Sequence, residues 1–350
     1  MDIQLLKSVL LLTRSLRVRQ FNHTVTIMAA KHATTSLLTQ ALRRPAARPI
    51  SRQNLMHTHL LSSNTIQNQA TTLLQDKENG FGFIRHNPRS PKPRDRGVTE
   101  IRGPYYSSYG KRHLQDVLET MGYHVDGLKF AGGSFSLMPE SAVRELVELA
   151  HEHDVYVSTG GWMEHVLTNP DANTTVDKYL KKCKDIGFDV IELSSGFLSF
   201  PPDDWLRLVD KVHGMGMKAK PELGIQFGAG GDTAAEDLEA TGTSDPSKVV
   251  NLGKKFIEAG VERMMIESEG ITENVKSWRT DVIQAILRDL PQEKVMFEAA
   301  DPPVFNWYVR EFGIDVNLFV DHSQIVQLTC LRSGIWGMAD TFGKIVSYRE

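Results

Sequence analysis

The sequence predicts an α/β protein, a (β/α)8 TIM barrel preceded by a basic N-terminal extension that we expect to be disordered. From residue 97 onward, short apolar segments alternate with segments of helical periodicity, eight of each, which matches this barrel in number and length. Glycine or proline stands where several of the helical segments begin or end. A doubly wound open sheet is the alternative, but the glycine fingerprint of dinucleotide-binding sheets is missing from the chain.

The extension precedes the first repeat. Residues 1–75 contain one acidic residue, Asp2, against nine Lys or Arg, with many Ser, Thr and Gln. This composition is typical of a mitochondrial transit peptide. An extension without a targeting role, in a cytoplasmic protein, is equally compatible with it, and Met28 could begin a shorter product. The proline-rich residues 87–96 are interpreted as a linker, which places the extension at residues 1–95 and the barrel at residues 96–350.

The elements of the barrel follow in order along the chain. Strands are predicted at residues 97–101, 125–130, 155–159, 188–193, 217–222, 261–267, 294–298 and 314–320. Helices are predicted at residues 111–121, 139–153, 176–186, 203–213, 246–259, 280–290, 302–312 and 322–331. Pro139 and Pro302 stand in first turns, where proline is tolerated because its missing N–H would have no helical partner. Gly122, Gly187, Gly214, Gly260 and Gly313 follow helical segments as stop signals.

The bulk composition excludes several classes of protein. The net charge is −3, and the chain lacks the excess of basic residues that is typical of nucleic-acid-binding domains, so we expect no nucleic-acid partner. Since no run of 18 apolar residues occurs, we expect no membrane span. The chain has only two cysteines, Cys183 and Cys330, which exclude a disulfide framework and favour a reducing compartment. The sequence leaves the oligomeric state open, a homo-oligomer included.

Four glutamates close predicted strands in the second half of the chain: Glu192, Glu222, Glu267 and Glu298. Parallel barrels gather their catalytic groups at the C-terminal ends of the strands. Four converging carboxylates repel one another unless protons or cations lie among them, so the pattern indicates a divalent metal site or a site for a basic ligand. Four separate carboxylates on the surface are the alternative.

Two glycine turns also follow predicted strands. Lys129 closes the second strand ahead of Gly132, Gly133 and Ser134, an arrangement that could bind a phosphate or carboxylate, although a solvated lysine would look the same. Gly160 and Gly161 follow the third strand and would let a ligand approach the backbone, or form an ordinary turn.

The fifth strand combines opposite charges on one face. Lys220 and Glu222 are two residues apart, so both side chains point to the same side of the strand. Lys220 therefore either anchors an anionic ligand at the barrel mouth or forms a structural ion pair inside the barrel.

These residues give the chain a resemblance to the phosphosulfolactate synthase family, and more closely to its heat-stress-associated branch known from plants. The resemblance covers about residues 97–344 and rests on seven short motifs: Leu128-Lys129-Phe130, Ser158-Thr159-Gly160-Gly161, Ile191-Glu192-Leu193-Ser194, Glu222-Leu223-Gly224, Phe297-Glu298-Ala299, Val316-Asn317-Leu318 and Asp340-Thr341-Phe342-Gly343.

The resemblance implies a Mg²⁺-dependent lyase-type barrel enzyme that adds sulfite to phosphoenolpyruvate, a small phosphorylated anionic substrate, to give 2-phospho-3-sulfolactate. It implies that Lys129 and the four glutamates act in catalysis, and we assign Glu192 and Glu222 as metal ligands. Asn317 is then a polar ligand contact at the eighth strand. Arg102, Ser134, Gly160, Gly161 and Lys220 complete the predicted substrate site.

The chain departs from the family pattern in two places. A lysine pair follows the fifth strand in the synthases, where this chain has Ile225 and Gln226, and the first strand leads into Arg102-Gly103 instead of Asp-Lys-Gly. Arg102 or Lys220 could supply the missing positive charge. A barrel with altered or lost activity that acts in heat-stress tolerance through protein partners is therefore the alternative function.

Overall fold

Eight parallel strands form a closed barrel in which each strand pairs with the next along the chain and β8 pairs with β1. This computed structural model describes residues 80–105, 108–199, 201–240, 245–299 and 301–348. The predicted targeting segment at residues 1–75 lies outside the described residues. The prediction of a (β/α)8 barrel is confirmed.

The strands are β1 (Thr99–Arg102), β2 (Gly127–Lys129), β3 (Tyr156–Ser158), β4 (Val190–Leu193), β5 (Lys218–Leu223), β6 (Met264–Ile266), β7 (Val295–Glu298) and β8 (Asn317–Asp321). The helices are α1 (Lys111–Met121), α2 (Glu140–Glu152), α3 (Met163–Leu167), α4 (Ala172–Ile186), α5 (Pro202–Gly214), α6 (Ala235–Ala240), α7 (Ser247–Glu258), α8 (Thr280–Asp289), α9 (Pro302–Phe312) and α10 (Ile325–Ser333). Each predicted helix has a counterpart, while the short α3 and α6 were not predicted. No helix in the described part of the chain is long and apolar enough to cross a membrane.

Helix α4 shows how the sequence produces these elements. Asp171 precedes the helix, and its carboxylate accepts a hydrogen bond from the Thr174 N–H, which satisfies one free donor of the first turn. Val176, Leu180 and Cys183 recur at helical spacing and are buried in the hydrophobic core. The helix ends at Gly187, whose φ of 109° is a left-handed conformation that side chains disfavour.

The strands alternate between two environments, as expected for a period of two. Residues such as Ile101, Leu128 and Ile191 point outward and belong to the core between the strands and the helices. A separate interior cluster contains Val98, Met265, Met296 and Phe319. Buried charged side chains, among them Glu100, Lys129, Glu192 and Lys220, share the interior with this cluster.

The segment predicted to be a linker contacts the barrel. Asn87 donates a hydrogen bond of 3.0 Å to the Arg332 carbonyl, and Arg94 forms an ion pair of 2.6 Å with Asp126, which precedes β2. Arg89 lies 3.4 Å from the same carboxylate. Residues 87–94 are therefore held against the N-terminal end of the strands, so the folded part begins upstream of the boundary that composition suggested.

Candidate active site

Three of the four glutamates meet at the C-terminal mouth of the barrel. Glu222 lies near the end of β5, Glu267 directly follows β6, and Glu298 ends β7. One carboxylate oxygen from each lies within 4.8 Å of the others, a spacing at which a single cation could bind all three. They line a cavity of about 160 Å³. The predicted cluster of carboxylates at the strand ends therefore contains these three glutamates.

Glu192 lies deeper than the other three. Its side chain is fully buried, and its two carboxylate oxygens lie 2.9 Å from the Lys129 ammonium and 3.0 Å from the Lys220 ammonium. Lys220 also donates a hydrogen bond of 2.5 Å to Glu100. Neither Glu192 nor Lys220 lines the cavity. The placement does not support Glu192 as a metal ligand or Lys220 as a substrate contact, because neither side chain reaches the lining of the cavity.

Lys129 connects the deep layer to the mouth. Besides its ion pair with Glu192, its ammonium lies 3.2 Å from Glu222 and 4.5 Å from the centre of the Phe319 ring. The side chain is almost completely buried but lines the cavity. Lys129 is therefore a fixed positive charge beside the carboxylate cluster, and the alternative of a solvated strand-end lysine is wrong.

Arg102 supplies the second positive charge at the mouth. Its guanidinium forms an ion pair of 2.5 Å with Glu298 and lies 5.2 Å from the centre of the same Phe319 ring. Arg102 and Lys129 are paired neighbours on β1 and β2, so both reach one side of the cavity. Of the two residues considered as replacements for the missing family lysines, Arg102 lines the mouth and Lys220 lies beneath it.

Burial and neighbouring charges divide the acidic groups into two types. Burial, with the nearby Glu192 carboxylate, raises the pKa of Glu222 to about 7, and burial together with Glu298 raises the pKa of Glu267 well above its usual value. Burial also acts to raise the pKa of Glu192, but Lys129 and Lys220 outweigh it and lower that pKa. Glu222 and Glu267 therefore bind protons readily, whereas Glu192 remains ionised.

The pKa of Lys129 is also raised, but here the raised pKa favours the charged form. Burial acts to lower its pKa, but Glu192, Glu222 and the other carboxylates outweigh burial and raise the pKa well above its usual value. A lysine held in the charged form serves as an electrostatic anchor and not as a base.

Carboxylates outnumber cations around the mouth. The acidic residues that line the cavity are Glu164, Glu222, Asp232, Glu267, Glu269, Glu273 and Glu298, whereas its cations are Arg102 and Lys129. An excess of carboxylates favours a bound cation, and oxygen-only ligands suit Mg²⁺. The three that converge, Glu222, Glu267 and Glu298, therefore fit a magnesium ion.

A carboxylate that the sequence reasoning did not single out positions a loop over the cavity. Glu269, two residues beyond Glu267, accepts hydrogen bonds from the N–H groups of Gly230 at 2.6 Å, Gly231 at 3.1 Å and Thr233 at 2.9 Å. A Cβ atom on Gly230 would lie 2.7 Å from the Glu267 carboxylate, so glycine is required there. The repeated acid in Glu267-Ser268-Glu269 was the signal in the sequence. The cavity is also lined by Glu164, Asp232 and Glu273.

Gly161 brings the backbone close to the carboxylates. It lines the cavity, and a Cβ atom there would lie 3.3 Å from the Glu222 carboxylate. Gly160 has a φ of 67°, and a Cβ atom there would overlap the Phe130 carbonyl oxygen, so this glycine permits the turn without lining the cavity. Ser134 is also outside the cavity, because its hydroxyl donates to the Pro104 carbonyl.

Asn317 lies at the opposite end of the barrel from the predicted ligand site. It is the first residue of β8, and its side-chain amide donates to the Val295 carbonyl at 3.0 Å and accepts from the Val98 N–H at 2.9 Å. Because it starts its strand, it lies at the N-terminal end, where it connects β1, β7 and β8. This placement does not support the predicted ligand contact.

The positions of the missing lysine pair do not line the mouth. Ile225 packs against the hydrophobic core, and Gln226 donates to the Leu238 carbonyl at 3.0 Å. Both line a neighbouring cavity of about 130 Å³ between the loops that follow β4 and β5. Neither side chain lines the cavity that contains Glu222.

The chain is similar in sequence to known proteins. Residues 87–338 match the family model for (2R)-phospho-3-sulfolactate synthase (ComA). The chain is 40% identical over 261 residues to Protein HEAT-STRESS-ASSOCIATED 32 of Arabidopsis thaliana, covering 71% of this chain and 90% of the relative. It is 25% identical over 274 residues to phosphosulfolactate synthase of Methanothermobacter thermautotrophicus, covering 76% of this chain and 99% of the relative. The extent of these matches shows that the chain belongs to the (2R)-phospho-3-sulfolactate synthase family.

Proposed function

We propose that the protein adds sulfite to phosphoenolpyruvate in a Mg²⁺-dependent reaction that gives 2-phospho-3-sulfolactate. One observation carries the proposal: Glu222, Glu267 and Glu298 converge within 4.8 Å beside two buried cations. The family match and the 25% identical phosphosulfolactate synthase support it.

The reaction forms a carbon–sulfur bond at the methylene carbon of the enol phosphate and adds a proton at the phosphate-bearing carbon. Negative charge builds on the substrate carboxylate before the proton arrives. A magnesium ion held by Glu222, Glu267 and Glu298 would stabilise this charge as a Lewis acid. Arg102 and Lys129 lie on one side of the cavity and would bind the phosphate or carboxylate of the substrate.

The test is an assay of the full chain with phosphoenolpyruvate, sulfite and Mg²⁺, followed by phosphorus NMR. We expect a new phosphate-ester resonance whose appearance requires all three components. Glu267→Gln removes one carboxylate of the cluster and should abolish the product. Glu140→Gln is the matched control, since Glu140 is exposed and pairs with Arg144 and Lys182 on the outer helices. Absence of product with the unmodified chain would overturn the proposal.

A second candidate function is a barrel without synthase activity that acts through protein partners in heat-stress tolerance. The 40% identity to the heat-stress-associated relative and the Ile225-Gln226 departure favour it. The two candidates differ in a measurable way. If heat-tolerance complementation in cells persists with Glu267→Gln while the purified chain forms no product, the second candidate is correct.

A further inference from the structure

A second cavity lies at the other end of the barrel, at the N-terminal ends of the strands. Its volume is about 310 Å³, and it is lined by residues that begin or precede β3, β4, β5 and β6. Phe188, Val190 and Met217 form apolar walls. Nothing in the proposed reaction uses this cavity, because the carboxylate cluster and its two cations line the opposite mouth.

Arg263 lines this cavity with a charge that has little compensation. Its side chain is only 8% exposed, and within the described residues its guanidinium donates one hydrogen bond, from Nη2 to the Asp95 carbonyl at 3.3 Å. Its Nε atom is buried without a hydrogen-bond partner, and in the described part of the chain no carboxylate forms an ion pair with it. A buried charge without a counter-charge is costly, so the position indicates a missing anion.

Two other buried arginines show how this fold compensates a guanidinium that binds no ligand. Arg332 donates to three backbone carbonyls, those of Gly97, Ile314 and Val316. Arg94 forms an ion pair with Asp126 at 2.6 Å. Each of these two also leaves one buried nitrogen without a partner, Nε of Arg332 and Nη2 of Arg94. Arg263 differs in having neither an ion pair nor several carbonyl acceptors among the described residues, although it is comparably buried.

The other charged groups that line the cavity already have partners. Lys220 forms ion pairs with Glu100 and Glu192, and Lys184 donates to the Met215 carbonyl. Glu262 pairs with Lys218 at 2.5 Å, and Asp189 accepts the Val157 N–H at 2.8 Å. The Arg263 guanidinium thus remains the group available to a ligand.

We propose that this cavity binds a small organic oxyanion, with Arg263 as the charged anchor and the apolar walls around the organic part. A guanidinium binds carboxylates and phosphates through paired hydrogen bonds, which suits an anion of either type. The site is separate from the barrel mouth, so anion binding here does not depend on the synthase activity.

The experiment is a titration of the full chain labelled with ¹³C at the methionine methyl groups, with phenyl phosphate in one arm and benzoate in the other. Met217 lines the cavity and reports on it, and its resonance is assigned with Met217→Leu. We expect the Met217 resonance to shift with at least one probe, and Arg263→Met to weaken binding at least tenfold. Arg288→Met is the control, because Arg288 is exposed and pairs with Asp289.

Thermal unfolding separates an anchor from a structural residue. Without a probe, Arg263→Met should melt at the same temperature as the unmodified chain or higher, because it removes an uncompensated buried charge. Arg263→Lys retains the charge and should retain part of the affinity. A Met217 resonance that does not move with either probe, equal binding by Arg263→Met, or a lower melting temperature for Arg263→Met would each overturn the proposal.

Discussion

At the scale of single residues, Glu222 links the protonation of the site to stability. Burial raises its pKa to about 7, so the folded state favours the protonated carboxyl. Its contribution to stability is fully present below its unfolded pKa of about 4.5 and is lost as the pH rises to about 7. The shift corresponds to about 3 kcal/mol.

We therefore predict a difference in pH dependence, measured in a chelating buffer. When the pH is raised from about 4.5 to about 7, the free energy of unfolding should fall less for Glu222→Gln than for the unmodified chain. Chemical denaturation across this pH range measures the difference. Glu140→Gln, a change at an exposed surface pair, should follow the unmodified chain. Parallel curves for Glu222→Gln and the unmodified chain would show that Glu222 does not titrate in this range.

Lys129 gives a second prediction for a single residue. Replacing it with Met should weaken the binding of phosphoenolpyruvate by about 1.5–3 kcal/mol, the range for a hydrogen bond to a charged group. Calorimetry measures the loss, and Lys178→Met on an exposed helix face is the control. Equal binding by Lys129→Met would leave Lys129 only the role of counter-charge to Glu192.

At the scale of elements, the loop after β5 depends on one carboxylate from the loop after β6. Glu269 accepts three backbone N–H groups between Gly230 and Thr233. We predict that Glu269→Ala releases this loop, because those donors lose their acceptor at once. Hydrogen exchange should accelerate at Gly230, Gly231 and Thr233 while β5 itself remains protected.

Glu273→Ala is the matched control for the loop, since Glu273 lines the same cavity and its carboxylate accepts from the Ser268 hydroxyl, not from the loop. Exchange at the three loop amides should be unchanged in this variant. If Glu269→Ala also left exchange unchanged, other contacts would hold the loop.

At the scale of the whole molecule, the carboxylate cluster links metal binding to folding. An ion that binds only the folded state stabilises it, by about 2.7 kcal/mol at 100 times its Kd. We predict that Mg²⁺ raises the melting temperature of the unmodified chain and that a chelator reverses the change. The melting temperature of the Glu267→Gln variant should be the same with Mg²⁺ and with the chelator. A melting temperature of the unmodified chain that does not respond to Mg²⁺ would argue against a metal site.

The sequence by itself determined the barrel and the end at which its acidic groups gather. Alternating periodicities and helix stop signals define eight repeats, and a strand has only two faces, so spacing alone predicts that Lys220 and Glu222 share the interior. The carboxylates Glu222, Glu267 and Glu298, with Lys129, were found in this way because each lies at or next to the C-terminal end of a parallel strand.

The tertiary structure decided the depth of each side chain inside the barrel. Glu192 pairs in register with Lys220, so Glu222, two residues farther along β5, lies closer to the mouth. The stagger of barrel strands sets this register, and it depends on packing between all eight strands. For the same reason Asn317, at the start of β8, lies at the opposite end, and Glu192 became a counter-charge for two lysines while Glu222 remained at the mouth.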